Sequence, residues 1–334
     1  MSLADAAALI LWAGVTFYAL FGGADFGGGF WDLVAGGAER GERPRATIQR
    51  SLTPVWEANH VWLIFCLVVL WTAFPSAFYA VMTTLYVPLT IAAFGIILRG
   101  SGFAFRKSIE GLSGRRIAGA TFAISSLLTP FFMGTVVGAI AAENVPADGN
   151  GDAFSSWLQP LPLLVGVLFV VGGAYLAAIF LVGDARRAGE PEMERYFERR
   201  ALGAAVVAGA LAVAGLFLLN SEAGYVHDRL LDQGLPLVIL SLLCGAAAIA
   251  VLLRGGRKPL RPLAGATFVA VIWGWAVAQF PYLLPTSLRI DEAAAPDATL
   301  TVVLIVFGVA AVLVLPSLFL LFTLAQKDLL ESEH

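Results

Sequence analysis

Glu57 and His60 lie three residues apart in Pro54-Val-Trp-Glu-Ala-Asn-His-Val-Trp-Leu63, at the head of an apolar run that reaches Phe74. On a helix this spacing puts the carboxylate and the imidazole on one face. Ionisable side chains at bilayer depth are costly, about 2.5–3.5 kcal/mol for an Asp on insertion scales, and usually serve a charge or a proton. Burial raises a carboxyl pKa and lowers that of an imidazole. Both groups then approach neutrality, which suits a proton relay. The plainer reading makes Glu57 an interfacial acid in the first helical turn, favoured by the helix dipole.

A second carboxylate, Asp25, lies in Gly22-Gly-Ala-Asp-Phe-Gly-Gly-Gly-Phe-Trp-Asp32, deep in the first apolar run. Its glycines allow another helix to approach closely. Asp32 is two turns further along the same face. Together they read as a proton path or ion site. The alternative is an acid that bonds a neighbouring helix and only fixes packing. Trp56, Asn59 and Trp62 accompany Glu57 and His60, the tryptophans as interface-belt and packing residues. Arg99 and Arg106 flank Gly-Ser-Gly-Phe-Ala-Phe and read as contacts for lipid headgroups or for acids such as Glu110.

Other chemistries find little support. Haem iron takes axial His, Met, Cys or Tyr ligands. The three histidines are His60, His227 and His334, and only His60 falls at membrane depth. Met82 and Met133 lie in apolar runs and read as packing, so the chain would hold one haem at most. No zinc spacing, nucleophile elbow or phosphate-binding loop is present, and no strand precedes the glycines of the first run. Cys66 and Cys244 sit in separate apolar runs and read as buried, inert thiols.

The elements that must position these residues are membrane helices. The 334 residues are 59% hydrophobic and 13% charged, with a mean hydropathy of +0.82. Soluble domains run nearer 25% charged. A net charge of −3 gives no reason to expect a nucleic-acid partner. With about 20 apolar residues to a span, the sequence predicts an all-α polytopic membrane protein with nine transmembrane helices: 6–34, 52–74, 77–98, 118–141, 161–183, 201–220, 235–253, 264–284 and 299–324. The first is expected to be retained as a helix, and its glycines mark a bend near Gly22. Of the 21 Lys and Arg residues, 19 fall in alternate loops or after the ninth run, leaving only Arg229 and Arg289 on the other side. The positive-inside rule then puts the N-terminus outside and the C-terminus in the cytoplasm. Loops are short, without a soluble domain, and Pro281 and Pro285 read as ending the eighth helix.

A weak repeat is visible. Gly22-Gly-Ala24 recurs as Gly172-Gly-Ala174, and Leu98-Arg-Gly100 as Leu253-Arg-Gly255. It predicts parallel units over 6–141 and 161–284, two four-helix units with a peripheral ninth helix over 299–324.

These motifs resemble subunit II of the cytochrome bd quinol oxidases. Gly-Ala-Asp-Phe-Gly at 23–27 is similar to that family's first-helix motif, and Pro-Val-Trp-Glu-Ala-Asn-His-Val-Trp-Leu-Ile at 54–64 to its second-helix signature. Leu-Arg-Gly-Ser-Gly-Phe-Ala-Phe-Arg at 98–106 resembles the exit of the third helix, and Leu-Leu-Thr-Pro-Phe-Phe-Met-Gly at 127–134 the fourth-helix motif. The resemblance is dense over 15–135 and architectural beyond. It implies a partner, subunit I, that carries haems b and d and the quinol site, so that this chain binds no haem. A small single-helix subunit and lipids are further implied partners, and some members hold a structural quinone in subunit II. It also implies that the bacterial cytoplasmic membrane houses the complex, and that Asp25 and Glu57 match acids associated with proton uptake from the cytoplasm. Position 57 is Asp in some members, and position 60 varies. Without the resemblance, a proton-coupled secondary transporter with a broken first helix, Asp25 as coupling acid and Glu57 as gate, reads almost as well.

Overall fold

The computed structural model describes residues 2–52, 56–106, 112–255 and 259–326, without the side chains of 38, 52, 56–59, 103–106, 112–118, 322, 325 and 326. The chain opens with α1 (Leu3–Phe17), capped by Ser2 and Asp5, each bonding the other's backbone N–H. It runs through one π-helical turn, Tyr18–Gly22, into α2 (Gly23–Leu33). A charged helix, α3 (Ala38–Leu52), follows, then α4 (Trp56–Ala73), α5 (Pro75–Thr84), α6 (Tyr86–Arg106) and α7 (Leu112–Ala141). The second half holds α8 (Pro160–Arg187), α9 (Pro191–Glu222), α10 (Gly224–Asp232), α11 (Leu235–Leu253) and α12 (Leu260–Gln279). A hairpin of β1 (Tyr282–Leu284) and β2 (Leu288–Arg289), the short α13 (Ile290–Ala293) and α14 (Asp297–Gln326) complete it.

This is an all-α multi-pass membrane protein apart from that hairpin. Among the described residues seven helices are long and apolar enough to cross a membrane, or eight if α4 and α5 make one broken span. The expected nine are therefore not all recovered, and the difference falls at the second and third. Residues 77–98 do not form one helix. Pro75 disfavours helical backbone at Phe74, whose φ of −137° and ψ of 61° end α4. The chain then turns by 117° into α5. Ala77, Ala80, Val81 and Thr84 form the buried stripe of α5, and α6 follows with a shorter apolar stretch over Tyr86–Gly102. The first span is continuous over Leu3–Leu33, and its irregularity is the π turn.

Helix α8 is the axis of the molecule. Two-thirds of its apolar window (67%) is buried, against 6% for α11 and for α14, which lie at the periphery. It owes this place to small residues. A Cβ on Gly27 would stand 1.9 Å from the Gly173 carbonyl oxygen, and one on Gly173 2.7 Å from that of Gly23, so α2 and α8 touch backbone to backbone. Gly134 and Gly138 of α7 meet Gly166 and Pro162 of α8 in the same way.

Two cores cap this axis. At the end with few arginines, Leu11, Phe74, Leu85, Val145 and Trp157 close with Leu284 and Ile290 of the hairpin region. Ala295 N–H donates to the Ala73 carbonyl at 2.8 Å. Helix α12 stops at Gln279, and Pro281 and the hairpin lie beyond it, as expected of the proline pair. At the arginine-rich end, Trp31, Ile48, Phe122, Phe197 and Leu260 pack around the last turns of α8.

Candidate functional site: a buried aspartate and arginine

Asp25 is 2% exposed and Arg99 1% exposed, which makes Arg99 the largest fully buried side chain among those described. Helix α2 brings Asp25 between α7 and α8 because glycine replaces side chains where its neighbours press. Gly27 faces α8, and Gly29 faces Ser126 of α7. Arg99 enters from α6. Its side shares a stripe with Ala92 and Gly95, whose small size admits Thr129 of α7. One guanidinium nitrogen donates to the Asp25 carbonyl oxygen at 3.0 Å and another to the Ser126 hydroxyl. The guanidinium lies 4.7 Å from the ring centres of both Phe26 and Phe122, a doubly stacked cation. The Asp25 side chain lies within its electrostatic reach.

His60 is drawn to the same cluster, its ring 5.9 Å from that of Phe26. Trp62 is 9% exposed and stacks on Phe17 at 4.5 Å. Trp56, Glu57 and Asn59 begin α4, but their side chains lie outside the described residues, as do those of Arg106 and Glu110. The headgroup role expected for Arg99 is corrected: its helical face turns inward, and the charge is spent on α2 and α7.

One buried group, Tyr18, escaped the sequence reading. Tyr18 is the first residue of the π turn, and its buried hydroxyl has no hydrogen-bond partner; neither has Arg99 Nε. A π turn inside an α-helix often marks a functional site, but Tyr-Ala-Leu-Phe-Gly carries no signal for it. Towards the arginine-rich end, Asp32 pairs with Arg45 Nε of α3 at 2.9 Å. Arg45 also bonds the carbonyls of Gly36 and Gly37, tying the α2–α3 corner together. Trp31 Nε1 donates to the Ala174 carbonyl at 2.7 Å, fixing α2 to α8 one turn from the glycine contact.

Chemically, the cluster can hold a carboxylate against a permanent cation in a water-poor interior. Among the described residues no three His, Cys, Asp or Glu side chains converge.

Comparison with known proteins covers nearly the whole chain. The family model described as cytochrome bd terminal oxidase subunit II matches residues 3–325. The chain is 22% identical over 335 residues to a putative cytochrome bd menaquinol oxidase subunit II of Bacillus subtilis, covering 96% of this chain and 94% of that one. It is 27% identical over 226 residues to cytochrome bd-I ubiquinol oxidase subunit 2 of Escherichia coli, covering 65% and 57%. The structure of bd oxidase from Geobacillus thermodenitrificans shares the fold, with a TM-score of 0.78 at 24% identity over 97% of this chain and 98% of that one. A match that runs from the first helix to the last, through every motif that holds the buried pair, means that the chain belongs to the cytochrome bd terminal oxidase subunit II family.

Proposed function

We propose that this protein is the second subunit of a quinol-oxidising, oxygen-reducing complex, that it partners a subunit carrying haems b and d, and that it passes protons inward from its arginine-rich face. The family match over 3–325 carries the first part of this reading. The names of the relatives, menaquinol and ubiquinol oxidases, supply the substrate class. The haems of the partner supply the electron and oxygen chemistry. Reduction of one O2 to two waters consumes four protons, which must reach a site buried in the bilayer.

The buried cluster supports the proton path. Asp25 is a buried carboxylate deep in the first span, with the Arg99 guanidinium bonded to its backbone carbonyl. The orphaned Tyr18 hydroxyl and Arg99 Nε are groups that a water would satisfy. In this reading Glu57 takes protons near the membrane surface, His60 lies between, and Asp25 holds the proton before it passes towards the partner. The face that donates them is the cytoplasmic one, with the N-terminus outside. We further propose nine crossings, with α5 and α6 together completing the third. The two copies of Gly-Gly-Ala are the point at which α2 and α8 meet, which supports a parallel repeat of two four-helix units with α14 beside them.

Replacement of Asp25 by Asn, or Glu57 by Gln, is expected to slow quinol-driven oxygen uptake about tenfold or more while the optical bands of haems b and d in the purified complex stay intact. Full turnover in both variants would remove the proton path. Loss of the haem bands in both would make these acids packing residues.

A further inference from the structure

The foot of α9 carries charge that the chain itself leaves unused. Arg195, Arg199 and Arg200, with Tyr196, line an open cleft of about 430 Å³, many times the roughly 30 Å³ that one water occupies. Arg200 is held over the Tyr196 ring, its guanidinium carbon 3.3 Å from the ring centre. Arg195 and Arg199 are exposed and make no hydrogen bond or ion pair among the described residues.

The acids of this corner are engaged elsewhere. Glu192, which also lines the cleft, pairs with Arg43 of α3. Glu190 pairs with Arg50 at 3.1 Å and accepts from the Thr47 hydroxyl. Glu194 is buried, and Glu198 has a partner of its own. Helix α3 thus neutralises Glu190 and Glu192 and leaves two guanidinium forks exposed.

What lies next to these forks is apolar. The apolar part of α9 begins at Ala201, one residue after Arg200. Val206, Val213 and Phe217 are 58%, 50% and 74% exposed. They continue the helical face of Arg199 at intervals of seven, seven and four residues. From Arg199 to Val213 this stripe runs roughly 21 Å, about the length of one extended acyl chain. Guanidinium forks match phosphate oxygens in two-pronged fashion, and basic pockets at a helix foot bind anionic headgroups.

We infer that this cleft is a phosphate-anion site occupied by the headgroup of an anionic phospholipid, with Arg195 and Arg199 on the phosphodiester and an acyl chain along Val206 towards Val213. Arg200 and Tyr196 form the inner wall.

The test uses the complete complex, stripped of lipid in detergent and given phosphatidylglycerol, phosphatidylcholine or inorganic phosphate, with bound molecules counted by native mass spectrometry. The unmodified complex should retain one more phosphatidylglycerol than R195Q/R199Q, whose affinity for it should fall about tenfold or more. A charge-matched control, R40Q/R254Q, should bind as the unmodified complex does. Equal retention by R195Q/R199Q, or the same loss in the control pair, would overturn the site. Displacement of the lipid by millimolar inorganic phosphate would overturn the lipid as its occupant. Without any mutation, phosphatidylglycerol and not phosphatidylcholine should shield Arg195 and Arg199 from phenylglyoxal. Unshielded arginines would overturn the proposal as well.

Discussion

Arg99 shows how one side chain can organise three helices. Its charge is satisfied by the Asp25 carbonyl, the Ser126 hydroxyl and two aromatic faces. Lysine keeps the charge, but its compact ammonium cannot lie flat between two rings while reaching both oxygens. Arg99→Lys should therefore lower stability by about 2–3 kcal/mol, read as a lower thermal midpoint of the purified complex. An unchanged midpoint would make the guanidinium shape irrelevant. Asp25 was legible in the sequence because a carboxylate among glycines in an apolar run has few innocent explanations. The burial of Arg99 was written there too, in Ala92 and Gly95 on the same helical face, but an arginine near the end of an apolar run is ordinarily drawn to headgroups. Tyr18 left no trace, since its importance comes from a π turn that propensity does not encode.

At the level of elements, the long apolar helices were legible and the breaks between them less so. The sequence leaves α3 among the loops because Pro44 and seven charged or glycine residues mask its stripe. Only the folded chain makes Gly41, Pro44, Thr47 and Ile48 a buried face. The turn at Phe74 was hidden because the residues on both sides are apolar and the bend depends on Pro75. Glycine contacts give the sharpest forecast here. Gly27→Ala must push α2 from α8, since its Cβ would stand 1.9 Å from a carbonyl oxygen; a loss of about 3 kcal/mol or more, seen as little assembled complex, is expected. Gly209→Ala on α9 meets nothing within 4 Å. It should leave assembly intact and gain about 0.5–1 kcal/mol in helix propensity. Similar behaviour of the two variants would contradict the close crossing.

The loop before α8 adds a pH dependence. Asp152 accepts from the amides of Ser155 and Phe154 at 2.7 and 2.9 Å. These bonds, that to Ser155 foremost, hold its carboxyl below the ordinary value of 3.8. The folded value is the lower one, so the turn's added stability is fully present above pH 3.8 and is lost as the pH falls through the folded value. Amide exchange of residues 153–156, corrected for its intrinsic rate, should speed up on that acid side. Asp152→Asn should remove most of the dependence.

For the whole molecule, the alternation of arginines predicts a direction that the helices alone do not. If the arginine-rich face is cytoplasmic, a cysteine at Asn150 should react with a membrane-impermeant maleimide in intact cells, and one at Glu42 only after the membrane is opened. The opposite pattern would invert the molecule and move the proposed proton entry to the other side. The multi-pass architecture was legible because hydropathy is a strong signal over twenty residues. The central place of α8 was legible only in part. Its Gly172-Gly-Ala174 matched the first helix, but no spacing says that two similar motifs will meet each other.

That meeting has a mechanical meaning. A carrier that works by rocking one half against the other needs a seam that can slip, with side chains that trade neighbours as it moves. Here the seam between α2 and α8 is main chain on main chain at Gly23, Gly27 and Gly173, and the Trp31–Ala174 bond bolts it a turn away. Such a joint has no second register to fall into. On the proposed path, a proton would have to hop through a stationary frame and could not be carried by a moving one.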